Sequence, residues 1–220
     1  MNKEVTTEAL FAPKASYIRP LFEGRRYPWL ILPEIGAYIK KLLSEGIEGY
    51  RELFPGVLVG EGVRISEHAV ISGPAVIGAG CELRPGAYLR GNVLLGEGCV
   101  IGNSTELKNC VLLDRAQAPH YNYIGDSILG VRAHMGAGAI CSNLKADGRD
   151  VVIHGDVEYP TGLRKVGAFL GDGADVGCGC VLNPGTIIGR ETSVYPLTPL
   201  RGVYPAASIV KAQNTVVEWR

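Results

Sequence analysis

A six-residue spacing of branched aliphatic side chains is the feature that most constrains the fold. Counting in sixes from Val59 to Leu113 meets only valine, isoleucine or leucine, and the residue two places before each is small or β-branched. An α-helix repeats every 3.6 residues and a strand every two, so neither alone produces this period. The aliphatic column is Val59, Ile65, Ile71, Ile77, Leu83, Leu89, Leu95, Ile101, Leu107 and Leu113, and the small column is Val57, Val63, Ala69, Ala75, Cys81, Ala87, Val93, Cys99, Thr105 and Val111.

A coil of short strands separated by tight turns explains this period. Residues two apart in an extended segment point to the same side, so both columns can face one interior. Glycines that follow the aliphatic residues, such as Gly60, Gly78 and Gly96, suit the turns. Each hexapeptide then forms one wall, and stacked coils pair as parallel strands. The sequence therefore predicts an all-β solenoid of about six or seven coils, in which both columns are buried.

Two interruptions mark where the repeat changes. The spacing resumes as a short run from Leu129 to Cys141 and a longer run from Leu170 to Leu200, again with small residues two places earlier. The breaks lie near 119–126 and 144–166, and the second contains a predicted hairpin. Insertions in repeat proteins often lie on the functional side. We therefore expect the chemistry to lie near these breaks.

The residues before the repeat form a separate predicted unit. Residues 1–54 divide into a flexible lead, as far as about Ser16, and an amphipathic helix over Glu34–Glu45. We expect this helix to cap the open end of the first coil, which would otherwise expose apolar edges. Residues 55–220 then form the solenoid.

Composition and cysteine positions exclude several classes of function. The chain carries 22 basic and 22 acidic residues, which argues against binding to nucleic acid or an anionic membrane surface. It contains no continuous apolar run of membrane-spanning length, and its first residues lack the apolar core of a secretory signal. Cys81, Cys99 and Cys180 fall in the small inward column. Cys81 and Cys99 lie one coil apart, which allows a disulfide, but packed thiols are favoured, and a cytoplasmic location is expected.

Four segments around the breaks resemble a known enzyme family. They are LRPGAYLRGN (83–92), GNSTELKN (102–109), APHYNYIGDSILG (118–130) and GAGAICSN (136–143). They are similar to the acetyltransferase half of the bifunctional UDP-N-acetylglucosamine pyrophosphorylase/glucosamine-1-phosphate N-acetyltransferase, and to related archaeal sugar nucleotidyltransferase homologues. The resemblance implies a hexapeptide-repeat acyltransferase with a left-handed parallel β-helix, a homotrimer, and acetyl-CoA as co-substrate.

The resemblance also implies roles for individual residues. His120 matches the general base that takes the proton of the sugar amine, as an imidazole can near neutral pH. Asn143 and Glu106 match polar residues beside that base and the acetamido group. Arg84 and Lys108 match cations that hold the sugar phosphate, and Tyr123 matches a substrate contact. The glycine-rich stretches at Gly136, Ala137, Gly138 and Gly177 would admit the pantetheine arm of the cofactor.

The repeat spacing itself suggests one further relationship. Arg84, Lys108 and His120 each follow an expected inward position, where a turn residue is usual. Arg84 and His120 are separated by six hexapeptides, so strict three-walled coils would stack them on one edge with Gly102 between them. The glycine would then leave a gap for a ligand.

Metal chemistry is not indicated. The γ-class carbonic anhydrases share this kind of repeat and bind zinc through three histidines, two of which are close together in sequence. Here His120 and His134 are too widely spaced to match that pair, and His68 and His154 lie elsewhere in the chain. The sequence therefore predicts no metal requirement.

Departures from the family pattern leave the function open between alternatives. Leu144-Lys145-Ala146 replaces the Tyr-Asp-Gly that follows the family's asparagine, His134 replaces an asparagine, and the glycine-rich loop for uridylyl transfer is missing. The leading hypothesis is an acetyl-CoA-dependent N-acyltransferase for an amino-sugar phosphate or a nucleotide-linked amino sugar. The alternatives are an O-acetyltransferase and a non-catalytic trimeric module that binds a sugar phosphate or nucleotide beside a separate nucleotidyltransferase.

Overall fold

The computed structural model describes residues 5–211 and 215–218. Its helices are α1 (Thr7–Leu10), α2 (Arg19–Phe22) and α3 (Ile35–Glu45), with 3-10 turns at Pro28–Leu30 and Leu32–Glu34. The strands are β1 (Arg51–Phe54), β2 (Val57–Val59), β3 (Arg64–Ile65), β4 (Val70–Ser72), β5 (Ala75–Ile77), β6 (Glu82–Leu83), β7 (Tyr88–Arg90), β8 (Val93–Leu95), β9 (Val100–Asn103), β10 (Glu106–Leu112), β11 (Gln117–His120), β12 (Tyr123–Leu129), β13 (His134–Met135), β14 (Ile140–Cys141), β15 (Val152–His154), β16 (Glu158–Pro160), β17 (Ala168–Leu170), β18 (Asp175–Val176), β19 (Val181–Leu182), β20 (Thr186–Ile188), β21 (Ser193–Val194), β22 (Pro199–Leu200), β23 (Val203–Tyr204), β24 (Ser208–Lys211) and β25 (Thr215–Glu218).

The strands stack into three parallel walls, which confirms the predicted solenoid. The first wall runs through β2, β5, β8, the second halves of β10 and β12, β17, β20 and β23. The second wall is β3, β6, β9, β11, β13, β18, β21 and β24, and the third is β4, β7, the first halves of β10 and β12, β14, β19 and β22. Within the described residues this makes about eight coils, rather than six or seven. Left-handed winding remains what the resemblance implies.

Burial follows the predicted columns over most of the repeat. Leu83, Leu89, Leu95, Ile101 and Leu107 are at most 1% exposed and form one continuous core with their small partners. The inward positions from Ser127 to Leu200 are buried too, with threonines replacing alanine in the last coils. All six cysteines are free, and five of them are buried, so the expectation of packed thiols is confirmed.

The predicted register of the repeat is wrong by one residue after Leu107. Tyr88 pairs with Glu106 and Val93 pairs with Cys110, and the second interval is one residue shorter than the first. The corner at Lys108 and Asn109 is therefore one residue shorter than the corner below it. Asn109 adopts a left-handed conformation there (φ 47°), which helps close the shorter turn. The inward residues are consequently Cys110 and Leu112, whereas Val111 and Leu113 pack outside the coil.

The two breaks differ from each other. No insertion exists at 119–126, because β11 ends at His120 and β12 begins at Tyr123 with a normal corner between them. The second break is a true insertion, since Ile128 pairs with Phe169, much further along the chain than one coil requires. It contains the predicted hairpin, formed by β15 and β16.

The segment before the solenoid covers the side of the first wall. The outward residues of this wall, among them Leu94, Ile128 and Phe169, pack with Trp29 and Ile35 in a second apolar cluster. Helix α3 contacts β8 and β10 along this side, so it does not cap the open end as expected. The end of the first coil is instead bordered by β1, which pairs antiparallel with β2. The division at residue 54 remains a prediction.

The predicted lead contacts the solenoid where the structure describes it. The carboxylate of Asp172 accepts the backbone N–H of Ala12 at 2.9 Å and that of Val131 at 2.8 Å. One side chain therefore ties the lead to the solenoid. Residues 1–4 of the predicted lead lie outside the described residues.

Candidate functional site

The predicted site residues lie at two corners of the solenoid and on the wall between them. We call the corner between the second and third walls the histidine edge (Arg84, His120, Gly136–Gly138, Gly177). We call the corner between the third and first walls the aspartate edge (Lys108, Asp126, Asn143). Glu106 and Tyr123 are paired on the third wall, between the two edges. The structure thus brings the predicted residues together in two groups rather than one.

His120 ends strand β11 with an exposed side chain. Its backbone carbonyl accepts the N–H of Gly138 at 3.0 Å, and its own N–H donates to Oδ1 of Asn122 at 3.2 Å. Among the described residues, the imidazole has no hydrogen-bond or ion-pair partner. A general base must reach the proton that it removes, and this exposed imidazole is accessible to a substrate.

Arg84 and His120 do not share a column, contrary to the strict six-residue count. Leu83 pairs with Ile101 and Ile101 with Ala118, so Arg84 aligns with Gly102 and Pro119. His120 pairs with Asn103 instead. The cause is the shortened corner described above.

Gly102 does not leave a gap for a ligand. A Cβ atom at this position would overlap the carbonyl group of Pro119, so the backbone of the next coil already occupies that space. The glycine is needed for close packing between coils, and the predicted ligand gap is wrong.

The charge of Arg84 is shared within its own wall. Its Nε donates to Oε1 of Glu82 at 3.0 Å, and Arg64 donates to the other oxygen of the same carboxylate at 3.0 Å. Hydrogen bonds from Arg84 and then Arg64 lower the pKa of Glu82. One positive charge remains on this trio of side chains.

The glycine-rich stretches pack closely against one another. Met135 pairs with Val176, which places Gly136 beside Gly177. A Cβ on Gly136 would lie 2.6 Å from the backbone nitrogen of Cys178, and one on Gly177 would lie 2.5 Å from that of Pro196. These glycines are therefore required by the fold, and their contact with pantetheine stays a prediction.

The third wall carries an acid and a phenol that face outward. Glu106 forms an ion pair with Arg90 at 2.6 Å. The hydroxyl of Tyr123 accepts a hydrogen bond from Nδ2 of Asn143 at 3.2 Å, and burial raises the pKa of Tyr123. Tyr123 thus connects the wall to the aspartate edge.

Asp126 organises the aspartate edge and was missed in the sequence. Its carboxylate accepts Nζ of Lys108 at 3.0 Å, Nδ2 of Asn109 at 3.0 Å and Nδ2 of Asn143 at 2.6 Å. The residue is only 5% exposed and has a positive φ of 50°. Its position directly before the small inward residue Ser127, inside a corner, was the signal that could have identified it.

Two other histidines have carboxylate partners. Nδ1 of His134 lies 2.8 Å from Asp175, and Nδ1 of His154 lies 2.6 Å from Glu158. Within residues 5–211 and 215–218, no group of three or more histidine, cysteine, aspartate or glutamate side chains could hold a metal ion. No helix in this part of the chain is long and apolar enough to cross a membrane.

The fold and motifs define the class as a hexapeptide-repeat β-solenoid, and comparison with known proteins gives its relatives. The GMPPB C-terminal domain family matches residues 71–159. The bifunctional protein GlmU of Methanococcus maripaludis strain C7 is 37% identical over 171 residues, covering 76% of this chain and 42% of that protein. The bifunctional sugar-1-phosphate nucleotidylyltransferase/acetyltransferase of Sulfurisphaera tokodaii is 35% identical over 92 residues, covering 41% of this chain and 23% of that protein.

These relatives confirm the resemblance to the bifunctional nucleotidyltransferase/acetyltransferases. The chain spans less than half the length of either relative. Among solved structures, the UDP-N-acetylglucosamine acyltransferase of Francisella novicida aligns with 74% of this chain and 67% of its own, at 15% identity and a TM-score of 0.40. This sequence identity and this TM-score are too low to support a shared function.

Proposed function

We propose that this chain is an acetyl-CoA-dependent N-acyltransferase acting on an amino sugar that carries a phosphate or nucleotide. The observation that carries the proposal is His120, an exposed imidazole without a partner among the described residues, on an edge bordered by the glycine-rich corner at Gly136–Gly138. The relatives that match this chain include proteins named as acetyltransferases, which supports the same reaction class.

The chemistry uses groups of this chain for proton transfer and charge stabilisation. The amine nitrogen attacks the thioester carbonyl, the new C–N bond forms, and the C–S bond breaks to release the thiol of coenzyme A. His120 takes the proton from the attacking amine and passes it to the leaving thiolate. The backbone N–H of Ala137 makes no hydrogen bond among the described residues, so we assign to it the stabilisation of the oxyanion.

We further propose a homotrimer that combines the two edges from different subunits. Apolar side chains are exposed at two places along the outward column of the third wall: Val70 pairs with Tyr88, and Ile140 with Val181. Their exposures are 57%, 38%, 38% and 40%, and Glu106 and Tyr123 lie between the two pairs in the same column. A neighbouring subunit packed on this wall would place one of its two edges beside the other edge of this subunit.

Free thiols throughout the core support a reducing, cytoplasmic setting.

The test is a thiol-release assay with acetyl-CoA against a panel of amino-sugar phosphates and nucleotide-linked amino sugars. Release of coenzyme A that depends on one acceptor supports the proposal. Mass spectrometry of the product then separates an amide from an ester, and therefore N-acylation from O-acylation. No release with any acceptor would contradict catalysis by this chain.

A non-catalytic sugar-phosphate or nucleotide-binding module is the second candidate. It is favoured by Leu144-Lys145-Ala146, which removes an aromatic and an acid after Asn143. Tight acceptor binding without thiol release would select this candidate.

A further inference from the structure

The ring of His120 has one nitrogen that the proposed proton transfer does not use. A neutral imidazole carries one N–H and one lone pair. When the lone pair takes the proton of an amine, an acceptor for the N–H fixes the tautomer and the direction of the ring. Within the described part of the chain, no acceptor is bonded to this ring. The side chains that flank His120 in the neighbouring coils are therefore the first candidates.

The strand register places Asn103 directly beside His120. The two residues are paired in strands β9 and β11, and the backbone N–H of Tyr121 donates to the carbonyl of Asn103 at 2.7 Å. On the other side, the N–H of Gly138 donates to the carbonyl of His120 at 3.0 Å, so Ala137 is the neighbour in the next coil. The methyl group of alanine forms no hydrogen bond. Of the two flanking side chains, only that of Asn103 can hold the ring.

The carboxamide of Asn103 has capacity for a further hydrogen bond. Asn103, Ser104 and His120 are all exposed. Oγ of Ser104 donates to Oδ1 of Asn103 at 2.7 Å. A carbonyl oxygen has two lone pairs, so Oδ1 can accept one more N–H. Neighbouring strands lie about 4.8 Å apart, so rotation of the two side chains is enough to bring Oδ1 and the imidazole into contact.

We propose that Asn103 is the positioning residue of His120. Its Oδ1 accepts the ring N–H, and the opposite ring nitrogen then directs its lone pair at the amine of the acceptor. An asparagine orients a histidine in the same way in proteases with a Cys-His-Asn arrangement. The contact tightens when a substrate occupies the lone-pair side, because catalytic hydrogen bonds are often long in ligand-free proteins. Asn103 itself touches no reacting atom.

This inference rests on the proposed function for the role of His120 as a base, whereas the contact itself can be measured without turnover. The charged side chains of the coil below and of the third wall have other partners, since Arg84 donates to Glu82 and Glu106 forms an ion pair with Arg90. A carboxylate introduced at residue 103 would therefore act mainly on the neighbouring imidazole.

The experiment is NMR of the full-length protein with nitrogen-15 histidine, for the wild type, Asn103→Ala and Asn103→Asp. Loss of the acceptor in N103A should change the tautomer ratio of His120 at least about twofold. The carboxylate of N103D favours the imidazolium, so the midpoint of the His120 titration should rise by about half a pH unit or more.

Gln117→Glu is the matched control for the added charge. Gln117 is exposed and lies on the same strand, three positions before His120. At that distance, about 10 Å along a strand, salt screens most of the interaction. We expect the titration midpoint of His120 to change by less than about 0.2 pH units in Q117E.

Thiol release supplies a second measurement. N103A should lower kcat about tenfold with little change in acceptor KM, because one hydrogen bond that orients the base is lost. N103D should recover most of kcat at high pH, since its carboxylate still accepts the ring N–H. The acidic limb of its pH profile should move to higher pH, because only the neutral imidazole acts as a base. A purely structural role would lower the activity of both variants at every pH.

Two results would overturn the assignment. One is an N103D titration midpoint equal to that of the wild type, and the other is an unchanged tautomer ratio in N103A. If both change as expected but no acceptor gives thiol release, Asn103 orients the ring and the proposed function fails. Thiol release by N103A at the wild-type kcat would refute the positioning role alone.

Discussion

Nζ of Lys108 lies 3.0 Å from Oδ2 and 3.2 Å from Oδ1 of Asp126, whose side chain is only 7% exposed. The two amides of Asn109 and Asn143 donate to the same carboxylate. This cluster lies at the shortened corner of the solenoid.

The first prediction concerns the stability that this pair provides. Asp126→Asn leaves Lys108 without its buried counter-ion, and we expect the unfolding free energy to fall by about 2 kcal/mol, a typical effect for a charge-assisted hydrogen bond. Urea denaturation measures the change. In a double-mutant cycle with Lys108→Met, the two effects should not add, because both remove the same interaction. Strict additivity would show that the pair is not coupled.

The second prediction concerns catalysis at the histidine edge. His120→Ala should lower kcat roughly 10²–10⁴-fold with little change in acceptor KM, because a general base acts in the transition state. Steady-state thiol release with the best acceptor measures both constants. His68→Ala is the matched control, since this histidine is 71% exposed and lies in an earlier coil of the solenoid than His120. Equal kcat values for the two variants would remove His120 from the mechanism.

The third prediction concerns the exposed apolar residues of the third wall. Ile140→Asp combined with Val181→Asp places charges at two adjacent, outward positions that are 38% and 40% exposed. We expect the proposed trimer to dissociate, because two like charges would be desolvated at its interface. Leu30→Asp, at a 43% exposed residue outside the third wall, should leave the trimer intact. Sedimentation equilibrium decides this, and a monomeric wild type would contradict the shared site.

The fourth prediction tests the core register. Leu95 is fully buried, so Leu95→Asp should prevent soluble expression, since an unpaired buried charge costs several kcal/mol. Val157→Asp, at a residue that is 55% exposed on the hairpin, should express and fold as the wild type does. The soluble fraction and the circular dichroism spectrum report the outcome. Normal folding of Leu95→Asp would place this residue outside the core.

The fifth prediction concerns Asp172, which ties the lead to the solenoid. Burial raises the pKa of Asp172 above its ordinary value of 3.8, although the N–H groups of Val131 and Ala12 oppose the shift. The folded state therefore holds the proton more tightly than the unfolded chain. The contribution of this group to the unfolding free energy should fall as pH rises from below 3.8 through the raised folded value.

Asp172→Asn isolates this effect because it no longer titrates. Urea unfolding of both proteins between about pH 3 and 7 gives the difference in unfolding free energy, wild type minus variant. We expect this difference to decrease with rising pH. An increase would mean that the N–H donors outweigh burial and lower the pKa instead.

The repeat and its core were determined by the sequence alone. A period of six fits short strands separated by turns, and burial of apolar residues then fixes which side chains face inward. The columns from Ala75 to Leu107 and from Ser127 to Leu200 are buried as the spacing predicts. The motif around His120 likewise indicated the resemblance to the acetyltransferase family from the sequence alone.

The geometry of the site was decided by the tertiary structure. One residue lost at the corner of Lys108 and Asn109 shifts every later position, so His120 aligns with Asn103 and not with Arg84. A residue count cannot locate such a loss when the flanking residues are all apolar, as they are from Cys110 to Leu113. The sequence also did not determine that helix α3 packs on the outer side of the first wall. Its apolar face could cover either an open end or an outward row, and only packing against residues such as Leu94 and Ile128 selects between them.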